Sequence, residues 1–180
     1  ILKSLLVLLY GKKYFKILKK ESTTLLVLTN FHKNFIKKIG GFKSKIFVFP
    51  NPINLQIKNS NLKKEDFIMY AGRISHEKGT DKLIESFVKA NLGSTSLKIV
   101  GDGPLLKELK IKYKSNHNIY FLGAKANQTV LDLIDKSIAV VTATRLYEGQ
   151  PTLLCEASSL GVPSIFPRSG GIEEFFPDNY

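Results

Sequence analysis

Cysteine is almost missing from this chain: Cys155 stands alone among 180 residues. No disulfide can close within it and no cysteine-built zinc cage can form, and a reducing compartment suits it. Long apolar runs are missing too. The longest, Leu5–Tyr10, is far too short to cross a bilayer. Residues 1–20 also lack the small-residue cleavage site of a secretory leader, and lysines recur through them. Arginine is absent from the first 65 residues. With no zinc finger and no Gly/aromatic RNA-binding signature, nucleic acid is not an expected partner. There is neither an Asp-x-Asp pair nor a Walker-type phosphate loop. His32, His76 and His117 are scattered, so neither a metal site nor a Ser-His-Asp triad is expected. The first residue is Ile, not Met, so the chain is expected to start inside a longer protein.

What is present is ordinary globular composition, 43% hydrophobic and 23% charged. The net charge of +12 is unevenly spread. Residues 1–65 hold fourteen lysines against only Glu21 and Glu65, which accounts for all of it. Residues 66–180 balance thirteen cations with thirteen acids. Such asymmetry suggests two units with different partners. The basic third could face an anionic membrane or a phosphorylated acceptor, or could be a lysine-rich solvated surface.

The pattern of elements is α/β. A basic amphipathic helix is expected over residues 2–20, bent at Gly11. A strand over Leu25–Thr29 leads to a helix from Phe31 to Ile39, capped by Asn30 and ended by Gly40-Gly41. Lys45–Phe49 is a strand stopped by Pro50-Asn51-Pro52. The polar stretch after it reads as a linker over 51–65. Strands at Phe67–Ala71, Leu97–Val100, Ile119–Leu122, Ile138–Thr142 and Pro163–Phe166 then alternate with helices at Asp81–Ala90, from Pro104, at Val130–Lys136 and at Pro151–Leu160. That order implies a parallel, doubly wound, Rossmann-like sheet with helices on both faces. Ligands bind such sheets at the strands' carboxyl ends.

Three loops lie at those ends. Gly72-Arg73-Ile74-Ser75-His76-Glu77-Lys78-Gly79 combines a sharp turn, a guanidinium fork and a mobile ammonium before a helix, which suits a diphosphate. An ordinary turn with solvated charges would look the same. Gly101-Asp102-Gly103-Pro104 is a tight turn that permits a ligand to approach the backbone closely, or simply joins strand to helix. Glu148-Gly149-Gln150-Pro151-Thr152-Leu153-Leu154-Cys155-Glu156 opens a helix whose first amides lack partners. Its two carboxylates need not touch: one could hold sugar hydroxyls, the other a ribose. Ser169-Gly170-Gly171-Ile172-Glu173 is a weaker candidate beside the same cleft. Cys155 reads as a small packed residue.

In sequence order, GRISHEKG, IVGDGP, FLG, EGQPTLLCEASSLGVPSI and SGGIEE resemble the donor-binding half of retaining glycosyltransferases of family 4, over about residues 20–180. The resemblance implies two Rossmann-like domains facing across a cleft, the B-type architecture. Residues 1–50 would end the acceptor-side domain, 51–65 would link, and 66–180 would bind a nucleotide-sugar donor, with sequence missing at both ends. By the same resemblance Arg73 and Lys78 grip the donor diphosphate. Glu148 contacts the sugar and Glu156 the ribose. Gly72, Gly149, Gln150, Pro151, Thr152 and Leu153 approach sugar and phosphate, and Gly123 lies beside the base. Gln150 departs from the aromatic or small residue usual there, which bears on sugar selection. No metal or cofactor is implied. The acceptor would be a glycan or lipid-linked molecule, as in bacterial capsule, lipopolysaccharide or glycolipid synthesis. The place would be cytoplasmic, peripheral on the inner membrane face. A nucleotide-binding module without transfer activity and a sugar-nucleotide epimerase of the same fold remain as alternatives.

Overall fold

A computed structural model describes residues 2–53, 63–178 and 180, with only the backbone described over 2–9. Helix α1 spans Leu2–Leu18 and runs unbroken through Gly11. Its sequence does not gather apolar residues on one face, which departs from the amphipathic expectation. Strand β1 (Thr24–Val27), helix α2 (Asn30–Ile39) and strand β2 (Lys45–Val48) form a βαβ unit with a two-stranded parallel sheet. Thr29, not Asn30, caps α2: its hydroxyl accepts from the His32 amide at 3.2 Å. Gly40, at φ 78°, ends the helix where a side chain would be strained. Most of the expected linker, residues 54–62, lies outside the described residues.

The second sheet is built from β3 (Phe67–Ala71), β4 (Ser96–Val100), β5 (Ile119–Gly123), β6 (Ala139–Val141) and β7 (Ser164–Ile165). The helices are α3 (Thr80–Ala90), α4 (Leu106–Lys112), α5 (Asn127–Lys136) and α6 (Thr152–Ser159). Two helix starts differ from expectation by two residues or more. Pro104 and Leu105 form a turn ahead of α4, and α5 starts three residues earlier than its apolar pattern suggests. All strand pairs are parallel, in the order β5-β4-β3-β6-β7.

Alternation along the strands divides the core. Tyr70 of β3 and Leu97 and Ile99 of β4 face Leu83, Ile84 and Phe87 of α3 and Leu109 of α4. Phe67 and Met69 of β3 and Val140 of β6 face Ile134 of α5 and Leu154 and Ala157 of α6. Helices therefore cover both faces, and each fully buried Leu or Ile contributes about 1.5–3 kcal/mol. Lys98 emerges between the layers. Its ammonium sits 3.6 Å from the Phe67 ring centroid and pairs with Glu65 at 3.0 Å.

The strand order creates the place for a site. The chain leaves β3 toward β4 and β5 on one side, then returns to place β6 on the other. The switch between β3 and β6 parts the loops at their carboxyl ends and leaves a crevice there.

Candidate functional site

The loop after β3, residues 72–79, is held by buried groups. The Tyr70 hydroxyl donates to the Arg73 carbonyl at 2.9 Å and accepts from the Thr80 hydroxyl at 3.3 Å. Burial pushes the Tyr70 phenol up from its ordinary pKa, so it stays a donor across the physiological range. The Gly101–Pro104 turn is the loop's second support. The Ile74 amide donates to the Asp102 carbonyl at 2.9 Å, and the Leu105 amide to the Ile74 carbonyl at 3.1 Å. The turn does permit a close approach, but of another kind than expected. The atom that a Cβ on Gly101 would strike is the carbonyl oxygen of Gly72. What the turn admits closely is the neighbouring loop.

The loop after β6 faces this one across a cavity of about 180 Å³. Lys78 Nζ donates to Glu148 Oε1 at 2.5 Å, across 70 residues of sequence. The Thr144 hydroxyl donates to the same oxygen at 2.8 Å. Both charged side chains are mostly covered, 33% and 23% exposed. Removing one partner would leave the other's partly shielded charge uncompensated. Pro151, Thr152 and Leu153 line the cavity at the start of α6. First-turn amides have no partner within their helix and carry its positive pole. The cavity therefore joins a movable ammonium, a fixed carboxylate and a helix N-terminus.

Of the expected site residues, Gly72, Lys78, Glu148, Gln150, Pro151, Thr152 and Leu153 line this cavity together. Arg73 stands at its rim, 67% exposed, and reaches Glu77 at 3.8 Å. Gly123 ends β5 at φ 71°, and its carbonyl accepts from the Gly101 amide at 2.9 Å. Gly149 is held against α2: a Cβ there would lie 2.9 Å from His32. The Gln150 side chain turns to the Asn51 backbone, accepting from its amide at 2.5 Å and donating to its carbonyl at 2.9 Å. Its amide group is thus committed to the segment leaving β2. Cys155 is half-buried, and burial raises its thiol pKa, in keeping with a packed residue.

Tyr70, Thr142 and Thr144 also belong to the site, although no motif in the sequence singles them out. Thr144 carried a readable signal, standing four residues before Glu148. Ile172, from the weaker Ser169–Glu173 candidate, lines the cavity because the segment after β7 folds back. There the Gly171 amide donates to the Glu148 carbonyl at 2.8 Å, and the Ser169 hydroxyl to the Leu146 carbonyl at 2.9 Å. Among the described residues, no group of three or more His, Cys, Asp or Glu side chains is placed to hold a metal ion.

Glu156 is half-buried, and burial raises its pKa above the ordinary glutamate value, partly offset by a bond from Asn127. The folded chain thus holds this proton more tightly than the unfolded chain. The associated stability is fully present below the unfolded pKa and is lost as pH rises through the folded one. Glu156→Gln is expected to raise Tm at about pH 7 and to leave it nearly unchanged at about pH 4. Thermal unfolding at the two pH values checks this. An equal effect at both would mean that ionisation is not the cause.

The family model for glycosyl transferases group 1 matches residues 53–180, a span holding both loops and the cavity between them. The chain belongs to the glycosyl transferases group 1 family. Members similar to it include the amylovoran biosynthesis glycosyltransferase AmsD of Erwinia amylovora, 26% identical over 86% of this chain and 46% of that protein. The putative teichuronic acid biosynthesis glycosyltransferase TuaC of Bacillus subtilis is 28% identical over 93% of this chain and 45% of its own. The chain thus spans a little under half the length of these relatives. Among solved structures, TarM aligns with a TM-score of 0.79 at 18% identity, over 93% of this chain and 34% of that one. Anabaena HepE, solved with UDP and glucose, aligns with a TM-score of 0.74 at 18% identity, over 86% and 47%. These likenesses confirm the α/β, B-type glycosyltransferase fold.

Proposed function

We propose that this chain is the donor-binding part of a retaining glycosyltransferase that moves a sugar from a nucleoside diphosphate to an acceptor hydroxyl in polysaccharide, O-antigen or glycolipid synthesis. The observation that carries the reading is the Lys78–Glu148 pair beside the start of α6 at the sheet's switch point. In transfer, the bond from the anomeric carbon to the diphosphate breaks while a bond to the acceptor oxygen forms, and the acceptor's hydroxyl proton leaves with the diphosphate. Negative charge grows on the leaving diphosphate. Lys78, Arg73 swung in from the rim, and the first amides of α6 neutralise it without a metal, a preorganised electrostatic effect. Glu148 orients the sugar and favours positive charge on its ring. Glu156 holds the ribose, Gly123 borders the base, and the backbone of Gly72, Gly149 and Gln150 approaches the ligand.

In this reading residues 1–50 belong to the acceptor-side domain, 51–65 link, and 66–180 bind donor. The lysine-rich first third faces anionic lipid or a lipid-linked acceptor at the inner membrane surface. No described helix is long and apolar enough to cross a membrane. The test is calorimetric titration with UDP, GDP, ADP and TDP, on this chain and on the whole protein. The expected result is binding of one nucleotide, weakened by the Arg73→Ala, Lys78→Ala double substitution. Binding of none by the folded whole protein would overturn the reading.

A further inference from the structure

The donor-side loops are clasped to the acceptor-side unit by a carboxylate that the proposed chemistry does not use. Glu174 lies on the 3₁₀ turn Ile172–Phe175, directly after the segment that supports Glu148. Its Oε2 accepts from the Asn30 amide at 2.7 Å and from Asn30 Nδ2 at 3.1 Å. Its Oε1 accepts from the Phe31 amide at 2.6 Å. These amides belong to the first turn of α2, 143 and 144 residues away.

Helix α2 is built to need this partner. Its own cap, Thr29, satisfies only the His32 amide, and its first turn contains no acid. Two first-turn donors and the positive helix pole are left for a carboxylate from elsewhere. Two further contacts seat the same surfaces. A Cβ on Gly171 would strike the Thr29 side chain at 2.5 Å, and one on Gly149 would lie 2.9 Å from His32. Gln150 bonds both backbone groups of Asn51 where the chain leaves β2. Glu148 stands among these attachments, fixed through Gly149 and Gln150 on one side and through the Gly171 amide on the other.

We propose that Glu174 is a positioning residue: by capping α2 from the donor side, it locks the loop carrying Glu148 onto the acceptor-side unit. The inference rests on the transfer reading above, and it assigns a part to a residue outside the cavity. The carboxylate is exposed, so the clasp is modest and reversible. Such a clasp can let the two units part for donor entry and close for transfer.

The test uses the whole protein with Glu174→Ala, and Glu174→Ala combined with Asn30→Asp. The second substitution places an acid in the first turn of α2 and so restores the helix end without restoring the clasp. Hydrogen exchange by mass spectrometry is expected to accelerate in Glu174→Ala both in the first turn of α2 and over residues 146–152. In the double variant the helix recovers and residues 146–152 do not. Unchanged exchange over 146–152 in Glu174→Ala, or its recovery in the double variant, would overturn the clasp.

The second readout is nucleoside diphosphate release from the UDP, GDP, ADP and TDP esters of glucose, galactose and N-acetylglucosamine. Affinity for the nucleoside diphosphate is expected to hold while kcat falls about tenfold, unrepaired by Asn30→Asp. Wild-type kcat in Glu174→Ala would overturn the positioning role and leave the transfer reading standing. A wild-type protein that neither binds nor turns over any donor would overturn the transfer reading and the positioning role together, while the exchange result still decides the clasp.

Discussion

Lys78→Ala and Glu148→Gln are expected to move nucleotide affinity in opposite directions while both abolish most transfer. The Lys78 ammonium is held by Glu148 at 2.5 Å, with Thr144 on the same oxygen. In the proposed donor site an incoming diphosphate has to draw that ammonium to itself against the carboxylate. Removing Lys78 deletes the charge that the diphosphate needs and leaves Glu148 uncompensated beside it. Affinity for the nucleoside diphosphate should then fall, by about tenfold or more for one lost charge-assisted contact. Removing the charge of Glu148 frees Lys78 and takes away a repulsion, so the same nucleotide should bind more tightly than in wild type.

Transfer should respond differently. Loss of one preorganised group at the site of developing charge lowers kcat by about 10²–10³-fold, and both substitutions should fall in that range. Calorimetry with the nucleotide and steady-state turnover of the whole protein separate the two effects. Weaker binding in both variants would show that Glu148 contacts the nucleotide rather than competing for Lys78. Full turnover in either would remove that residue from the chemistry.

The second large effect is on folding, at Gly79. This residue has φ 66° at the N-terminus of α3, and a Cβ there would collide with the carbonyl oxygen of Ala143. Gly93 has nearly the same backbone angle, φ 63°, but open space around it. Gly93→Ala should cost only the left-handed strain of a side chain, about 1–2 kcal/mol. Gly79→Ala adds a backbone collision between the loops after β3 and β6, about 1–3 kcal/mol more. Against a total stability of about 5–15 kcal/mol, the Gly79 change should remove a large share of folded protein. It should also spread the cavity walls, so nucleotide binding weakens even where the fold survives. Denaturant midpoints of the two variants measure the difference directly. Equal midpoints would mean that the loops move apart without cost.

The alternation of short apolar runs with amphipathic segments was enough to predict a parallel α/β sheet and to put its loops at the carboxyl ends. Local chemistry explains this success. Val- and Ile-rich runs such as Ile138–Thr142 suit a strand buried on both faces, and glycines at strand ends mark turns that only they allow. The same rules placed Glu148 ahead of a helix and Glu156 within it. They erred where neighbours decide. Pro104 could have opened α4, but the turn it belongs to is spent on bracing Ile74. Asn30 could have capped α2, but the helix already begins at Asn30, and it is Thr29, one residue earlier, whose hydroxyl reaches the His32 amide.

By itself, then, the sequence determined the class of fold, the loops that matter and the residue types available in them, because those arise from periodicity and turn chemistry over a few residues. Only the tertiary structure decided which of those residues meet. Lys78 finds Glu148 because β3 and β6 are neighbours in the sheet, and Arg73, five residues earlier, is left at the rim. Gln150 turns to Asn51 and Glu174 caps α2 because segments 99 and 143 residues apart are brought into contact. Such pairings depend on strand order and on the packing of distant segments, which no local pattern of side chains encodes.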